Sequence, residues 1–354
     1  MNYQQSLDYL NSFINYEKNL HEISPTLFRL DRVERLLLAM GGPQKNLKFV
    51  HVAGSKGKGS TCVMVANILK CQGYRVGLYT SPHLNNVRER IRILEKRTAG
   101  SIADELFPDA ISQADMADVI SSLQNILEKF REDESVGNLT FFEALTGIAL
   151  YYFNKQKCDI VVLETGLGGR LDATNCVDTL VCGITPISME HMHLLGDSLD
   201  KIAAEKAAII KNTQQKVILA PQDDRAMEVL IQRCNQFELK PTIVGKDIKH
   251  VLKDQGARWI CFDLHTPEMD YHNLVLGLAG RHQLINASLA IGIIEALRQK
   301  GFAVSKEAVA DGVKEVQWPG RFEIVQECPY IILDGAHNEA SARALAQTIK
   351  EVLP

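Results

Sequence analysis

The feature that most constrains the fold is a glycine-rich stretch between a short apolar run and a helical run. The run Phe49–Ala53 is typical of a buried strand, and residues 62–71 carry apolar side chains at helical spacing. Residues 54–60 between them read Gly-Ser-Lys-Gly-Lys-Gly-Ser. Glycines allow positive φ and close backbone approach, and a helix amino end favours an anion. A glycine-rich turn without a ligand is the alternative, but the strand, lysine, hydroxyls and helix together favour a phosphate-binding loop.

Composition limits the classes of protein that the chain can belong to. Its 354 residues exceed one ordinary core, so we expect a domain of roughly 250–320 residues and a smaller one. The net charge of −4 provides no broad basic field for nucleic acid. Eight cysteines without a Cys-x-x-Cys pair indicate free thiols and a cytoplasmic location. The first residues lack a leader pattern, and no apolar run approaches the ~18 residues of a membrane span.

Strand and helix candidates alternate along most of the chain. Besides the first strand, the strand candidates are residues 74–79, 159–164, 180–184 and 217–220. This order predicts an α/β fold with a mostly parallel sheet flanked by helices. We expect a few antiparallel strands in residues 245–280 and a peripheral, acidic insertion over residues 95–137. A boundary at residue 317 predicts two domains, 1–316 and 317–354.

Two strand ends carry oxygen groups that suit a metal ion. Ser81 follows the second strand candidate and Glu164 ends the next one, which is where ligand sites lie in open α/β sheets. A carboxylate at this position commonly holds nucleotide-bound Mg²⁺. Glu164 is therefore a candidate metal ligand, whereas Ser81 is equally compatible with an ordinary hydroxyl before a proline turn.

Lys206 stands at an unusual place in its helix. Ile202, Lys206, Ile209 and Ile210 are spaced so that the lysine falls on the apolar face. A lysine that snorkels to solvent is the alternative to a functional role. His191 lies on the loop before this helix, where a lone histidine more often has no ligand.

Two other segments have structural interpretations of their own. Thr140 is placed as a helix N-cap with Glu143 as its capping-box partner, and that role alone explains both residues. The charges of residues 29–33 could contact a ligand, but a solvated helix face is the favoured interpretation.

Several motifs together resemble folylpolyglutamate and dihydrofolate synthases of the Mur ligase superfamily. They occur in the family's order at residues 54–60, 81–84, 163–175, 282–286 and 334–338. The glycine-rich segment after Glu164 resembles the folate branch and disfavours a ligase of cell-wall peptide precursors. A nucleotide switch protein is disfavoured because the guanine-binding pattern Asn-Lys-x-Asp is absent.

The resemblance implies an ATP-dependent ligase that joins L-glutamate to a folate or dihydropteroate carboxylate through an acyl phosphate, with two Mg²⁺ ions. The implied ATP-binding residues are Gly54, Ser55, Lys56, Gly57, Lys58, Gly59, Ser60, Asn286, Arg321, Asp334 and His337. The implied folate- or pteroate-binding residues are Thr140, Phe141, Phe142, Glu143, Leu171, Asp172 and Ala173. The implied metal ligands are Ser81, Glu164, His191 and Lys206, and the implied catalytic residues are Lys58, His191 and Lys206.

In this family the matching lysine is carbamylated, which accounts for the place of Lys206. Desolvation lowers the pKa of a lysine, so its neutral amine can capture carbon dioxide and become an anionic oxygen ligand. Lys56, Glu190, Ala208 and Glu339 depart from the family's common pattern without removing an implied ligand. We also expect a monomer whose C-terminal α/β domain is Rossmann-like and truncated. We therefore expect low turnover, and the alternative is a truncated remnant that binds nucleotide with little or no catalysis.

Overall fold

The computed structural model describes residues 1–18, 28–96, 107–132 and 138–353. Within these ranges the chain forms eleven α-helices and twelve β-strands. The helices are α1 (Tyr3–Asn11), α2 (Leu30–Ala39), α3 (Lys58–Gln72), α4 (Gln113–Glu132), α5 (Phe141–Lys155), α6 (Met192–Leu195), α7 (Leu199–Ala207), α8 (Asp224–Gln236), α9 (His282–Gln299), α10 (Lys306–Lys314) and α11 (Glu339–Val352). The strands are β1 (Phe49–Ala53), β2 (Val76–Tyr79), β3 (Ile91–Leu94), β4 (Ile160–Glu164), β5 (Val181–Ile184), β6 (Lys216–Leu219), β7 (Thr242–Ile243), β8 (Lys249–Gly256), β9 (Trp259–His265), β10 (Asp270–Leu276), β11 (Glu323–Glu327) and β12 (Tyr330–Leu333).

A seven-stranded sheet lies at the centre of the fold, in the order β3-β2-β4-β1-β5-β6-β7. All neighbouring strands in it are parallel except β2 and β3. Every residue of β1 and β4 is buried, as expected for parallel strands that helices cover on both faces. The predicted α/β fold is confirmed, and the strand that leads into the glycine-rich stretch is the middle one.

The side chains of β1 pack into cores on opposite faces of the sheet because strand residues alternate in direction. Val50 and Val52 join the core that contains α3 and α9. Phe49 joins the core of α2 and α5, and Ala53 joins that of α7 and α8. The loop after β1 is therefore anchored between two packed helical layers.

Helix α4 belongs to the main core, so the prediction of a peripheral insertion over residues 95–137 is wrong for this helix. Met116, Ile120 and Leu127 are fully buried and pack with α2 and α5. The acidic side chains that motivated the prediction describe only the outer face of the helix. Residues 97–106 and 133–137 of the same segment lie outside the described residues.

Two smaller antiparallel sheets complete the fold. Strands β10-β9-β8 form the first, which confirms the prediction for residues 245–280 and packs into the core of α9 and α10. Strands β11 and β12 form the second beside α11, with Phe322 and Ile324 in a small core against Ala279. The domain boundary at residue 317 stays a prediction. In the parts of the chain described above, none of the helices is long and apolar enough to cross a bilayer.

Candidate active site

The glycine-rich stretch forms a tight loop at the carboxyl end of β1. Gly57 starts α3 with a left-handed backbone at φ +86°, and among the described residues no side chain caps this helix. The first N–H groups of a helix have no intrahelical partner, so this end can receive an anion. The N–H groups of Ser55 and Lys56 both donate to the carbonyl of Pro186, at 3.0 and 3.2 Å, which fixes the rest of the loop.

Asn286 reaches the loop from the first turns of α9, as the resemblance implies. A Cβ atom at Gly57 would lie 2.8 Å from Cγ of Asn286, so the amide packs directly on the loop backbone. Asn286 is buried, and its Nδ2 donates to Oε1 of Gln283 at 2.9 Å. Only a glycine leaves room for this contact.

Glu164 and Ser81 meet beside the loop. The Ser81 N–H donates to Oε2 of Glu164 at 3.1 Å, and the same oxygen would lie 3.4 Å from a Cβ atom at Gly59. Burial raises the pKa of Glu164, an effect that Lys58 opposes. A buried carboxylate beside a serine and a phosphate-binding loop fits the oxygen ligands that Mg²⁺ prefers.

No larger set of acidic and histidine side chains surrounds this carboxylate. The described residues contain no cluster of three or more His, Cys, Asp or Glu that could hold a metal by itself. Mg²⁺ is usually bound by one or two carboxylates, and waters and substrate phosphates complete its coordination. The donor set at Glu164 and Ser81 therefore fits a nucleotide-bound ion.

Lys206 is fully buried beneath the loop, so the snorkelling interpretation is wrong. Its Nζ donates to Oε1 of Glu190 at 2.6 Å and to the carbonyl of Gly54 at 2.8 Å, and 2% of its side chain is exposed. Burial lowers the pKa of Lys206 to about 8. Burial opposes ionisation of Glu190, but the charges of Lys206 and Lys58 outweigh it and lower the pKa of that carboxyl.

His191 adjoins this pair at the start of the short helix α6. Its backbone is left-handed at φ +44°, which is uncommon for a residue with a side chain and costs roughly 1–3 kcal/mol. Burial lowers the pKa of the imidazole, which favours the neutral form that can bind a metal. Strain of this kind is concentrated at functional sites.

A cavity of about 390 Å³ brings most of the predicted groups together. The predicted residues that line it are Ser55, Lys56, Lys58, Ser81, Thr140, Phe142, Glu143, Leu171, Asp172, Ala173, His191 and His337. The predicted residues that do not line it are Gly54, Gly57, Gly59, Ser60, Phe141, Glu164, Lys206, Asn286, Arg321 and Asp334. The loop, the second strand end and the implied folate-binding segments thus share one cavity.

Both carboxylates among the implied folate-binding residues already bind protein groups. Glu143 forms the predicted capping box with Thr140, and its Oε1 also accepts Arg32 Nη2 at 2.7 Å. Asp172 accepts the N–H groups of Leu167, at 2.7 Å, and Thr174, at 3.0 Å. Arg32 is buried, so the solvated-face interpretation of residues 29–33 is wrong for it.

Arg321 and Asp334 lie together in the last part of the described chain. Asp334 accepts the N–H groups of Phe322 and Ala336, at 2.9 and 2.8 Å. Burial lowers the pKa of Lys56, and the charge of Arg321 adds to this effect, so the guanidinium lies near the loop. These positions are compatible with contact to a nucleotide whose phosphates occupy the loop.

Other cavity residues were not identified as site residues from the sequence. They are Asn15, Tyr16, Glu17, Phe28, Pro82, Gly166, Leu167, Arg170, Glu190, Leu194, Leu195 and Glu205. Arg170 belongs to the glycine-rich segment after β4 and forms an ion pair with Glu205 at 2.9 Å. An arginine within that glycine-rich segment is the sequence feature that could have identified it as a site residue. Tyr16 and Glu17 carry no such signal, because their place depends on tertiary packing.

Comparison with known proteins identifies the family. The Mur ligase middle domain matches residues 52–294. The dihydrofolate synthase/folylpolyglutamate synthase of Bacillus subtilis is 35% identical over 325 residues, which cover 91% of this chain and 72% of that protein. The chain therefore belongs to the Mur ligase family, in the branch of folylpolyglutamate and dihydrofolate synthases.

Solved structures agree with this placement. The folylpolyglutamate synthase of Thermotoga maritima superposes with a TM-score of 0.83 and 34% identity, covering 99% of this chain and 74% of that one. A complex of FPGS with AMPPCP and folate superposes with a TM-score of 0.88 and 28% identity, covering 99% of this chain and 80% of that one.

Proposed function

We propose that this protein is an ATP-dependent ligase that joins L-glutamate to the carboxylate of a folate-type acceptor, with dihydropteroate as a second acceptor. One observation carries the proposal: a single cavity extends from Lys56 and Lys58 of the phosphate loop to the aromatic side chains of Tyr16, Phe28 and Phe142. A flat heteroaromatic ring fits between aromatic walls, while its carboxylate end points to the phosphates. A solved FPGS structure that resembles this chain contains both AMPPCP and folate, which supports a nucleotide and a folate-type acceptor as the two substrates.

The reaction needs two steps in a closed site. The terminal phosphoryl group of ATP moves to an oxygen of the acceptor carboxylate, which releases ADP and leaves an acyl phosphate. The amine of L-glutamate then attacks the carbonyl carbon, loses a proton, and expels inorganic phosphate to leave an amide. Lys58, at the start of α3, stabilises the charge on the moving phosphoryl group. Water must be excluded because it would hydrolyse the acyl phosphate.

Ser81 and Glu164 would hold one Mg²⁺, and His191 with a carbamylated Lys206 would hold the other. Bound Mg²⁺ neutralises the charge that develops on the phosphates. Lys206 is suited to carbamylation because its amine is buried and has a pKa of about 8, so a neutral fraction exists near neutral pH. A carbamate there would place two anions together, since Glu190 Oε1 lies 2.6 Å from Nζ. A Mg²⁺ ion bound at this site would offset that repulsion.

The remaining predicted residues complete the two substrate sites. Asn286 and the loop residues would contact the nucleotide, together with Arg321, Asp334 and His337 from the domain that we place at residues 317–354. The segments 140–143 and 171–173 would contact the acceptor, mainly through Phe142, Leu171 and backbone groups. Glu143 and Asp172 would act by shaping the wall, because their oxygens already accept protein hydrogen bonds.

The cysteine thiols bear on the cellular location of the protein. All eight cysteines are unpaired, and those at 62, 158, 182 and 234 are buried. Unpaired thiols are typical of proteins in a reducing compartment. We therefore propose a cytoplasmic location; the monomeric state stays a prediction.

ADP release on this chain tests the function. We expect ADP only when ATP, L-glutamate and a folate or dihydropteroate are all present. If the chain released as much ADP without L-glutamate and acceptor as with them, it would be a plain ATPase. If it released no ADP with any acceptor, it would bind nucleotide without ligation.

Two single variants on helix α7, one at Lys206 and one at Lys201, test the metal site. Lys206→Ala should lose most activity and recover part of it with a small carboxylic acid. Lys201→Ala is the control, because Lys201 is exposed on the same helix and pairs only with Asp197 among the described residues. Its activity should be unchanged. A free amine at Lys206, seen by mass measurement in active enzyme, would contradict the carbamate.

A further inference from the structure

Arg90 is a buried cation beside the cavity. The proposed reaction does not use its charge. It ends the 3₁₀ helix Val87–Arg90 and is 1% exposed. Its Nη1 and Nη2 donate to the two carboxylate oxygens of Glu17 at 2.7 and 2.5 Å, and its Nε donates to Nδ1 of His83 at 2.8 Å. Its guanidinium carbon lies 5.6 Å from the centre of the Phe141 ring. The guanidinium thus contacts three other segments of the chain.

Each of these segments lines the acceptor cavity. Glu17 lines it directly, together with Asn15 and Tyr16. His83 follows Ser81 and Pro82 in the chain, and Phe141 lies between Thr140 and Phe142, and these flanking residues also line the cavity. One buried cation therefore joins three walls that are far apart in sequence. A buried charge is costly unless it is well paired, so these partners determine its place closely.

We propose that Arg90 is a positioning residue that sets the shape of the acceptor cavity by fixing the segment 15–17 against the other two walls. The inference rests on the proposed function, because the acceptor is the ligand whose fit depends on that wall. Arginine is required because its planar fork binds both oxygens of Glu17 at once and still donates to His83. A lysine keeps the charge but cannot keep this geometry.

The phosphate end of the cavity should depend on Arg90 only through its charge, which opposes the burial that raises the pKa of Glu164 and which a lysine retains. The loop is held by the carbonyl of Pro186 and by Asn286, and neither residue contacts Arg90 through a described hydrogen bond. Loss of the Arg90 fork should therefore raise the KM for the acceptor and leave the KM for ATP nearly unchanged. A merely structural residue would lower the melting temperature without this separation.

Arg92 provides a matched control two residues away. It is also buried, its Nε and Nη2 donate to the two oxygens of Asp109 at 3.0 and 2.8 Å, and it stacks on Phe107 at 4.9 Å. Neither Asp109 nor Phe107 lines the cavity. Arg90→Lys and Arg92→Lys thus break the same kind of pair in the same region, and only the first pair joins cavity walls.

The experiment measures acceptor and ATP KM values, direct folate binding and melting temperature for each variant. We expect Arg90→Lys to raise the acceptor KM and to weaken folate binding, each by at least about tenfold. The ATP KM should stay within about twofold of the wild-type value. Glu17→Gln should shift acceptor binding in the same direction, and the double variant should be little worse than Arg90→Lys alone. Arg92→Lys should change acceptor KM by less than about twofold.

The outcomes separate this inference from the proposed function. Equal changes of the acceptor KM in the Arg90 and Arg92 variants would overturn the positioning role. So would a rise of the ATP KM in the Arg90 variant that equals the rise of its acceptor KM. If Arg90→Lys does not fold, Glu17→Gln with wild-type folate binding would overturn it as well. Wild-type chain that binds no folate would refute the proposed function, and with it this inference.

Discussion

The contact between the phosphate loop and Asn286 leads to a prediction at Gly57. Gly57→Ala forces a side chain into a left-handed position at φ +86° and places its Cβ 2.8 Å from Cγ of Asn286. Gly73 ends the same helix and is left-handed at φ +107°, but a Cβ atom there would meet no other atom within 4 Å. Gly73→Ala is therefore a control that has the backbone strain without the overlap.

The expected magnitudes follow from this difference. A left-handed backbone costs an ordinary residue about 1–2 kcal/mol, so both variants should lose stability and melt a few degrees lower. Only Gly57→Ala must also displace Asn286 or the loop, since the amide is buried and bonded to Gln283. Loss of one hydrogen bond to a charged phosphate is worth about 1.5–3 kcal/mol, which corresponds to roughly 10- to 150-fold in ATP affinity.

ATP binding and ATP KM, measured beside the melting temperature, test the prediction. Gly73→Ala should keep wild-type ATP affinity despite its lower melting temperature. Wild-type ATP affinity in Gly57→Ala, or an equal loss in both variants, would refute the reasoning, because the overlap with Asn286 would then have no effect on nucleotide binding.

Three further predictions concern buried polar groups. Arg32→Met should lower the unfolding free energy by about 3–5 kcal/mol because it leaves Glu143 buried without its ion pair, whereas Arg29→Met, at an exposed pair, should leave stability nearly unchanged in the same denaturation assay. Burial raises the pKa of Glu295 from 4.5 to about 7, so wild-type stability should fall as pH rises through that window, and Glu295→Gln should lose this dependence in melting curves at pH 5 and 8. Trp318→Phe should lower the melting temperature only by the packing that the smaller ring loses against Phe107 and Arg92, because the buried Nε1 has no partner among the described residues; a melting curve of this variant that matches a variant with a buried hydrogen bond removed would contradict this.

Features that depend on neighbouring residues were predictable from the sequence. The strand, glycines and helix of residues 49–72 predict the phosphate loop, since its backbone conformation and anion-binding end arise within about 20 residues. The capping box of Thr140 and Glu143 was predictable for the same reason, and the structure has both of its hydrogen bonds. The family resemblance added the order of the site segments, and the common cavity agrees with it.

Tertiary structure alone decided how the buried charges pair. Arg32 meets Glu143 across 111 positions of sequence, and Arg90 meets Glu17 across 73. A charged residue in an amphipathic pattern indicates a solvated face, because periodicity records only which side of a helix is apolar. Whether that charge instead meets an opposite charge inside the fold depends on which distant segments pack together. Lys206 was found because its position breaks the periodic pattern, but its contact with Glu190 became visible only in the folded chain.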